Sequence, residues 1–364
     1  MFCRVIDNFG DAGIAWRLAR SLFVERHWQV RLIIDDESTL SALVPEVDAS
    51  LCGQRVKGID VVRWSEDFQS PAADIVIELF SCFLPESYEA AINEALKTRP
   101  VAVAALDYLT AERYAEESNG LASPHPRYGY PKTFLFPGFS EKTCGVIYEA
   151  DLRDRQKAFY SQNRREKILS DLGCDPAHPM TLYFFTYPQM PVEAFAREVA
   201  ADPRPLQILA APGRATEMLA QALGTLHAPH VRLVRAPMVP QEAFDDVLMS
   251  TDACLVRGED STLRAQLAGK PLIWTLYPQE DDAQLVKLAA FAALYTKSLP
   301  IQAAEAWQSL HERINQSGSQ TIGWSAWRDH FEALKTGASL WCQTLFSHAS
   351  LTERIAQTLE KTLK

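Results

Sequence analysis

No CxxC pair and no HxxxH or HEXXH spacing occurs in this chain of 364 residues. Its seven cysteines stand singly, at 3, 52, 82, 144, 174, 254 and 342. Lone thiols in odd number argue against a disulfide framework and for a reducing cytoplasm, and the spacing gives no reason to expect a metal site. GxGxxG is missing after the first strand-like run of either half, and GxxxxGK[ST] is missing throughout, which weakens nicotinamide, ATPase and kinase readings. No signal peptide appears, and the longest apolar runs, such as "PVAVAAL" at 100–106, are strand-sized, so no membrane anchor is expected. Positive charge is in deficit: 36 Lys and Arg against 46 Asp and Glu give a formal net charge of -10. A protein that holds nucleic acid by neutralising phosphates needs the opposite balance. Acidity of this size suits solubility and a cationic substrate or partner group. Internal repeats and low-complexity tracts are also missing.

What is present is the composition of an ordinary globular protein, 47% hydrophobic and 23% charged, with length enough for two domains. Strand-like and helix-like runs alternate over the first 150 residues: "FCRVI" (2–6), a helix over 13–27, "QVRLIID" (29–35), "DIVIELF" (74–80), "YEAAINEAL" (88–96) and "VAVAAL" (101–106). Residues 118–150 break the rhythm with Gly, Pro and aromatics and read as a long loop running into a linker. One charged helix is expected over 151–173, and alternation then restarts at "MTLYFFTY" (180–187). It continues through "LQILAAP", "VRLVRAP", "ACLVRG" and "PLIWTLY", and "LTERIAQTLEKTLK" closes the chain as an amphipathic helix. The expected class is α/β, with two Rossmann-like domains, 1–150 and 151–340, and an inter-domain cleft at the carboxyl ends of their strands. Residues 341–364 are expected to form a C-terminal helix that packs back on the first domain. Met1 stands almost inside the first expected strand, a start that a short missing N-terminal stretch would account for.

Two short stretches carry chemistry. In "DNFGDAG" (7–13), Asp7 and Asp11 flank a glycine turn between a strand and a helix, with Gly10 and Gly13 serving the turn and close approach. Many α/β proteins hold a phosphate at such a turn, but two carboxylates would repel one. The plain alternatives are a strand-end aspartate satisfied by backbone amides for Asp7 and a helix N-cap for Asp11. In "LVRGEDSTLRAQLAGKPLIW" (255–274), a strand ends at Val256, a turn spans 257–261 and a helix follows over 262–268. The N–H groups of such a helix start favour a diphosphate, with Arg257 as a charged donor and Ser261 as a hydroxyl. Here the plain alternative is that Asp260 or Ser261 caps the helix and Glu259 is solvated. His125 and His178, in Pro-rich loops, read as surface residues. The tryptophans read as filler of core and surface, not as a sugar-stacking ladder.

Taken in order along nearly the whole chain, "FCRVIDNFGDAGIAWRLAR", "LASPHPR", "FLFPGFSEKTCG", "VPQEAFD" and "RGEDSTLRAQLAGKPLIWTLYPQ" resemble the EarP family, the protein-arginine rhamnosyltransferases of elongation factor P. The resemblance implies a GT-B fold, dTDP-β-L-rhamnose as donor, an arginine of elongation factor P as acceptor, and inversion at the anomeric carbon. It also implies that Asp11 is the base, with Asp7 beside it and Glu259 essential. Arg257, Asp260 and Ser261 are implied for the donor diphosphate, Gln241 and Phe244 for thymine, and Tyr187 near the donor. No nucleic acid, membrane or metal is expected to take part.

A guanidinium is protonated, with a pKa above ~12, and delocalised, which makes it a poor nucleophile. Carboxylates can orient it, localise a nitrogen lone pair and take its proton. On this view "DNFGDAG" faces a cation rather than a phosphate. Two other functions remain open at this level: a sugar-nucleotide transferase with another acceptor, and a non-catalytic module that binds an arginine-bearing partner.

Overall fold

The structure, a computed structural model, describes all residues except 7, 8, 66, 280, 281, 317 and 364. The chain divides into two compact units, one of Met1–Leu152 with Phe346–Lys364 and one of Arg153–Leu345.

The first unit is built on an eight-stranded sheet ordered β3-β4-β2-β1-β5-β6-β8-β7. Its strands are β1 (Phe2–Cys3), β2 (Arg31–Ile34), β3 (Gly53–Val56), β4 (Ile59–Arg63), β5 (Ile75–Leu79), β6 (Ala102–Leu106), β7 (Ala122–Pro124) and β8 (Pro131–Leu135). The inner strands run parallel, and the antiparallel hairpin strands β3 and β7 lie at the two edges. Phe2, Trp64, Phe68 and Tyr88 pack in the core on one side of this sheet, with Phe2 edge-on to Trp64 at 5.2 Å. The helix Phe9–Arg26 buries most of its length, including Gly13, Trp16 and Leu18. The helix Leu351–Thr362 packs against it, and Arg26 reaches Glu360 at 3.1 Å.

Three expectations for this unit are corrected. The first strand ends at Cys3, not at residue 6. The helix begins at Phe9, so Gly10 and Gly13 lie within its first turns and form no glycine turn. Position 13 is buried inside the helix, so turn geometry does not account for its glycine. Within 118–150, the β7–β8 hairpin interrupts the expected loop. A second hairpin, β3–β4, also escaped the sequence reading. Its turn places Lys57 and Gly58 at φ 48 and 87, the pairing of two left-handed residues that tight hairpins use.

The second unit holds a parallel sheet ordered β11-β10-β9-β12-β13. Its strands are β9 (Thr181–Phe184), β10 (Leu206–Ala210), β11 (Val231–Arg235), β12 (Ala253–Arg257) and β13 (Leu272–Thr275). Four of the five are buried from end to end or nearly so, as expected of strands covered by helices on both faces. β13 is an edge strand, and the helix Ile301–Ile314 covers it with polar side chains. The Trp274 N–H donates to Nε2 of His311 at 3.0 Å, and Asn315 accepts from Leu276 N–H and donates to the Trp274 carbonyl. The single charged helix expected over 151–173 is two, Leu152–Ser161 and Arg164–Asp171. Asn163 breaks it by adopting φ 51, a conformation that asparagine tolerates better than most residues. Among the described residues no helix is long and apolar enough to cross a membrane.

Candidate active site

In each unit the strand order reverses at one place, between β9 and β12 in the second and between β1 and β5 in the first. The loops leaving such neighbours diverge, and α/β proteins bind ligands in the crevice so formed.

At the β9/β12 reversal, β12 ends on Arg257 and the helix Asp260–Leu267 begins three residues later. This is earlier than expected: Asp260 and Ser261 are the first helical residues rather than part of the turn. Glu259 occupies the N-cap position, and its side chain makes no capping hydrogen bond. Neither Asp260 nor Ser261 is the cap. Gly258 turns the chain with φ 65, and its carbonyl is held by the Trp274 indole N–H at 3.1 Å. Thr275 Oγ donates to the Val256 carbonyl at 3.1 Å and is itself bonded to Thr186 Oγ at 2.8 Å. The turn is thus fixed from the neighbouring strands. Arg257 lies over Phe185 and Tyr187, its guanidinium 4.6 Å from each ring centroid. Among the described residues no carboxylate pairs with it. A cation held on aromatic faces beside a helix start is suited to an anionic ligand.

Gln241 is the first residue of the helix Gln241–Ser250 and is buried. Phe244, half-buried, meets Tyr183 edge-to-face at 5.7 Å. Burial pushes the Tyr183 phenol up, so it stays neutral. One turn on, buried Asp245 accepts from Nε of Arg264 at 2.7 Å, from the other arm of the same guanidinium, and from Arg155 at 3.1 Å. The ion pair ties the helix carrying Gln241 and Phe244 to the helix that begins at Asp260. Sequence reasoning did not single out Asp245 or Arg264. It also missed Phe185 under Arg257 and Tyr277, which is 58% exposed and edge-on to Tyr187 at 5.5 Å. An aromatic at the end of β9 or β13 looks like core until the loop geometry is known.

At the β1/β5 reversal stands Asp11, in the first turn of the helix Phe9–Arg26 and 2% exposed. Its Oδ2 accepts the Ile6 N–H at 2.7 Å, so the carboxylate holds the end of the strand-to-helix connection and is not the helix N-cap. An ionised carboxylate in a first turn is favoured by the helix dipole. Asp7 lies outside the described residues.

His125, expected at the surface, is 8% exposed. Its ring stacks on Tyr130 at 4.6 Å and on Tyr128 at 5.4 Å. Nδ1 accepts from the Arg127 and Tyr128 amides, which leaves Nε2 to donate to Glu89 at 3.1 Å. His125 therefore braces its own hairpin. All seven cysteines are free thiols, and among the described residues no three His, Cys, Asp or Glu side chains come together to hold a metal.

With this geometry in view, comparison with known proteins is informative. Residues 1–360 match the model of the family described as Elongation-Factor P (EF-P) rhamnosyltransferase EarP. A protein-arginine rhamnosyltransferase of Pseudomonas putida is 37% identical over 354 residues, covering 94% of this chain and 93% of the relative. One from Neisseria meningitidis is 34% identical, covering 99% and 96%. A solved chain from work on EarP-mediated arginine glycosylation of translation elongation factor EF-P is 26% identical with a TM-score of 0.68, covering 100% and 98%. A glycosyltransferase from Rickettsia africae shares the fold at 10% identity and a TM-score of 0.53. Two Rossmann-like units with these neighbours make the fold GT-B. The chain belongs to the EarP family of elongation factor P rhamnosyltransferases.

Proposed function

We propose that this protein transfers L-rhamnose from dTDP-β-L-rhamnose to an arginine side chain of elongation factor P, with inversion at the anomeric carbon. The observation that carries this is Arg257, a cation without a carboxylate partner among the described residues, held over two aromatic rings beside the start of the helix Asp260–Leu267. A nucleoside diphosphate supplies the anion that such a place lacks. Gln241 and Phe244, on the helix clamped to this one through Asp245, take the thymine. Ser261 adds a hydroxyl, and Tyr187 flanks the donor.

The acceptor chemistry belongs to Asp11 and Asp7. The arginine nitrogen attacks the anomeric carbon from the face opposite the diphosphate, and the bond from that carbon to the diphosphate oxygen breaks. The bonding pair leaves with the diphosphate, and the nitrogen's proton passes to the Asp11 carboxylate. A carboxylate is a weak base toward a guanidinium, so proton transfer must accompany C–N bond formation rather than precede it. Asp7 holds the guanidinium plane or orients Asp11. Glu259 positions the sugar or the acceptor. Negative charge building on the leaving diphosphate meets Arg257 and the helix start, so this reading assigns the neutralisation to the protein rather than to a divalent metal. Elongation factor P places the reaction in the cytoplasm, and seven free thiols are in keeping with that. No nucleic acid or membrane takes part.

The test is intact mass of elongation factor P after incubation with this protein and dTDP-β-L-rhamnose, with and without chelator. One added deoxyhexose on an arginine supports the reading, and its persistence in chelator supports the metal-free step. No mass gain with donor binding intact moves the acceptor elsewhere, and no donor binding overturns the transferase reading.

A further inference from the structure

The β1/β5 reversal of the first unit carries a feature that the transfer chemistry does not use. β5 leaves the sheet through Phe80 and Ser81, at φ 55 and 56, both in the left-handed region and neither of them glycine or asparagine. Two such residues in succession are costly and persist only where packing holds them. Here the Phe80 N–H donates to the Leu106 carbonyl at 2.8 Å, and the Cys82 N–H donates to the Leu79 carbonyl at 3.1 Å. The Cys82 thiol reaches the Phe2 carbonyl at 3.1 Å, and the Phe80 ring is buried and stacked on Tyr108 at 4.6 Å. The result of this expensive turn is Phe83, which is 81% exposed. Among the described residues no large apolar side chain is more exposed.

Its neighbour across the crevice is the loop after β1, because Cys3 of β1 pairs with Leu79 of β5. That loop presents Ile6, 72% exposed, whose N–H is the one bound by Asp11. A lone apolar side chain on a surface needs no explanation. Two that flank one switch-point crevice, one of them thrust out by a strained turn, do.

We propose that Phe83 and Ile6 form an apolar rim that docks the protein loop carrying the acceptor arginine and reads the side chains flanking it. The inference rests on the proposed function for the arginine and adds the rim. Charge selects the occupant. Asp11 lies in the crevice, and Asp35, at the end of neighbouring β2, accepts the Val5 N–H at 2.8 Å and pairs with Arg4 at 3.8 Å. With a net charge of -10, the chain as a whole disfavours polyphosphates and anionic lipid heads and favours a cationic partner group such as a guanidinium. Apolar side chains beside those carboxylates then suit a polypeptide whose arginine stands between small or apolar neighbours. A bare guanidine compound would have nothing to place on Phe83.

Phe83→Ser tests this, with Phe83→Leu as the variant that keeps an apolar side chain. Binding of unmodified elongation factor P is measured by calorimetry, transfer by intact mass, and dTDP affinity alongside. Because the ring is exposed, both variants are expected to melt with the wild type. Expected is a loss of roughly tenfold or more in affinity for the factor and a matching rise in its KM for Phe83→Ser. Phe83→Leu is expected to recover most of this, and dTDP affinity to stay unchanged in both. Wild-type affinity for the factor in Phe83→Ser overturns the rim and leaves the transferase reading standing. Binding that depends on Phe83, without sugar transfer by the wild type, supports the rim and overturns the transferase reading. Neither binding nor transfer by the wild type overturns both.

Discussion

The Arg257 guanidinium lies 4.6 Å from the ring centroids of both Phe185 and Tyr187, and among the described residues no acceptor takes a hydrogen bond from it. Lysine would carry the charge without the planar fork or the stacking, and is not an equivalent at such a site. Arg257→Ala should weaken dTDP binding roughly 10- to 100-fold, the scale of a charge-assisted hydrogen bond. Arg257→Lys should recover only part of this. Calorimetry with dTDP reads both, and wild-type affinity in the alanine variant would remove Arg257 from the diphosphate site.

Asp11→Asn separates charge from architecture. The asparagine carbonyl can still accept the Ile6 N–H that Oδ2 of Asp11 now accepts at 2.7 Å, so the connection into the helix should survive. What disappears is the carboxylate that the proposed mechanism uses as its base. Turnover should fall by ~100-fold or more, the usual worth of a positioned general base, with dTDP affinity and melting temperature little changed. Wild-type turnover would give the proton to another group.

Why some of this could be read from the chain and some could not has a local explanation. Four of the five strands of the second sheet are buried along all or nearly all of their length, so they appear as mostly apolar runs bounded by turn residues. Gly258 and Gly269 both adopt positive φ and mark the two ends of the helix Asp260–Leu267. The first unit hides its logic better. In "DNFGDAG" the two glycines read as a turn, but both lie in the helix Phe9–Arg26 and position 13 is buried there, which no local pattern displays. The β3–β4 hairpin does carry a local signal, Lys57-Gly58 between two alternating runs. Phe185 and Tyr277 could not have been singled out, because an aromatic that ends a strand packs inward as often as it serves a ligand. The Asp245–Arg264 pair joins residues 19 apart in sequence on two helices, a distance at which spacing rules say nothing.

That pair sets a stability prediction. Arg264 is 1% and Asp245 5% exposed, so removing either partner leaves the other charge buried. Asp245→Ala should cost about 3–5 kcal/mol, read in urea melts, whereas replacing both by apolar residues of similar volume should cost much less. Because the pair joins the two helices that carry Gln241 and Asp260, Asp245→Asn should also loosen dTDP binding. A double replacement that costs the sum of the two single losses would mean that the two charges are not coupled.

His311 closes the edge of β13 in its neutral form. Nδ1 donates to the Trp307 carbonyl at 2.8 Å, and Nε2 accepts from the Trp274 N–H at 3.0 Å, so both ring nitrogens are committed and neither can accept a proton without breaking the arrangement. Complete burial pushes its pKa down from 6.5 to about 3. Because the folded pKa lies below the unfolded one, the unfolded chain takes up the proton first. The contribution of His311 to stability is therefore whole above about pH 6.5 and is lost as pH falls toward about 3. The slope in that window is at most about 1.4 kcal/mol per pH unit. His311→Gln keeps an acceptor for Trp274 but cannot be protonated. It should be less stable than the wild type near neutrality, where packing against Trp307 is disturbed, and should lose stability less steeply on acidification. Urea melts of both proteins between pH 7.5 and 4.5 isolate the effect, since the carboxylates common to the two cancel in the difference. Parallel curves would mean that His311 takes up its proton as readily in the folded protein as in the unfolded chain.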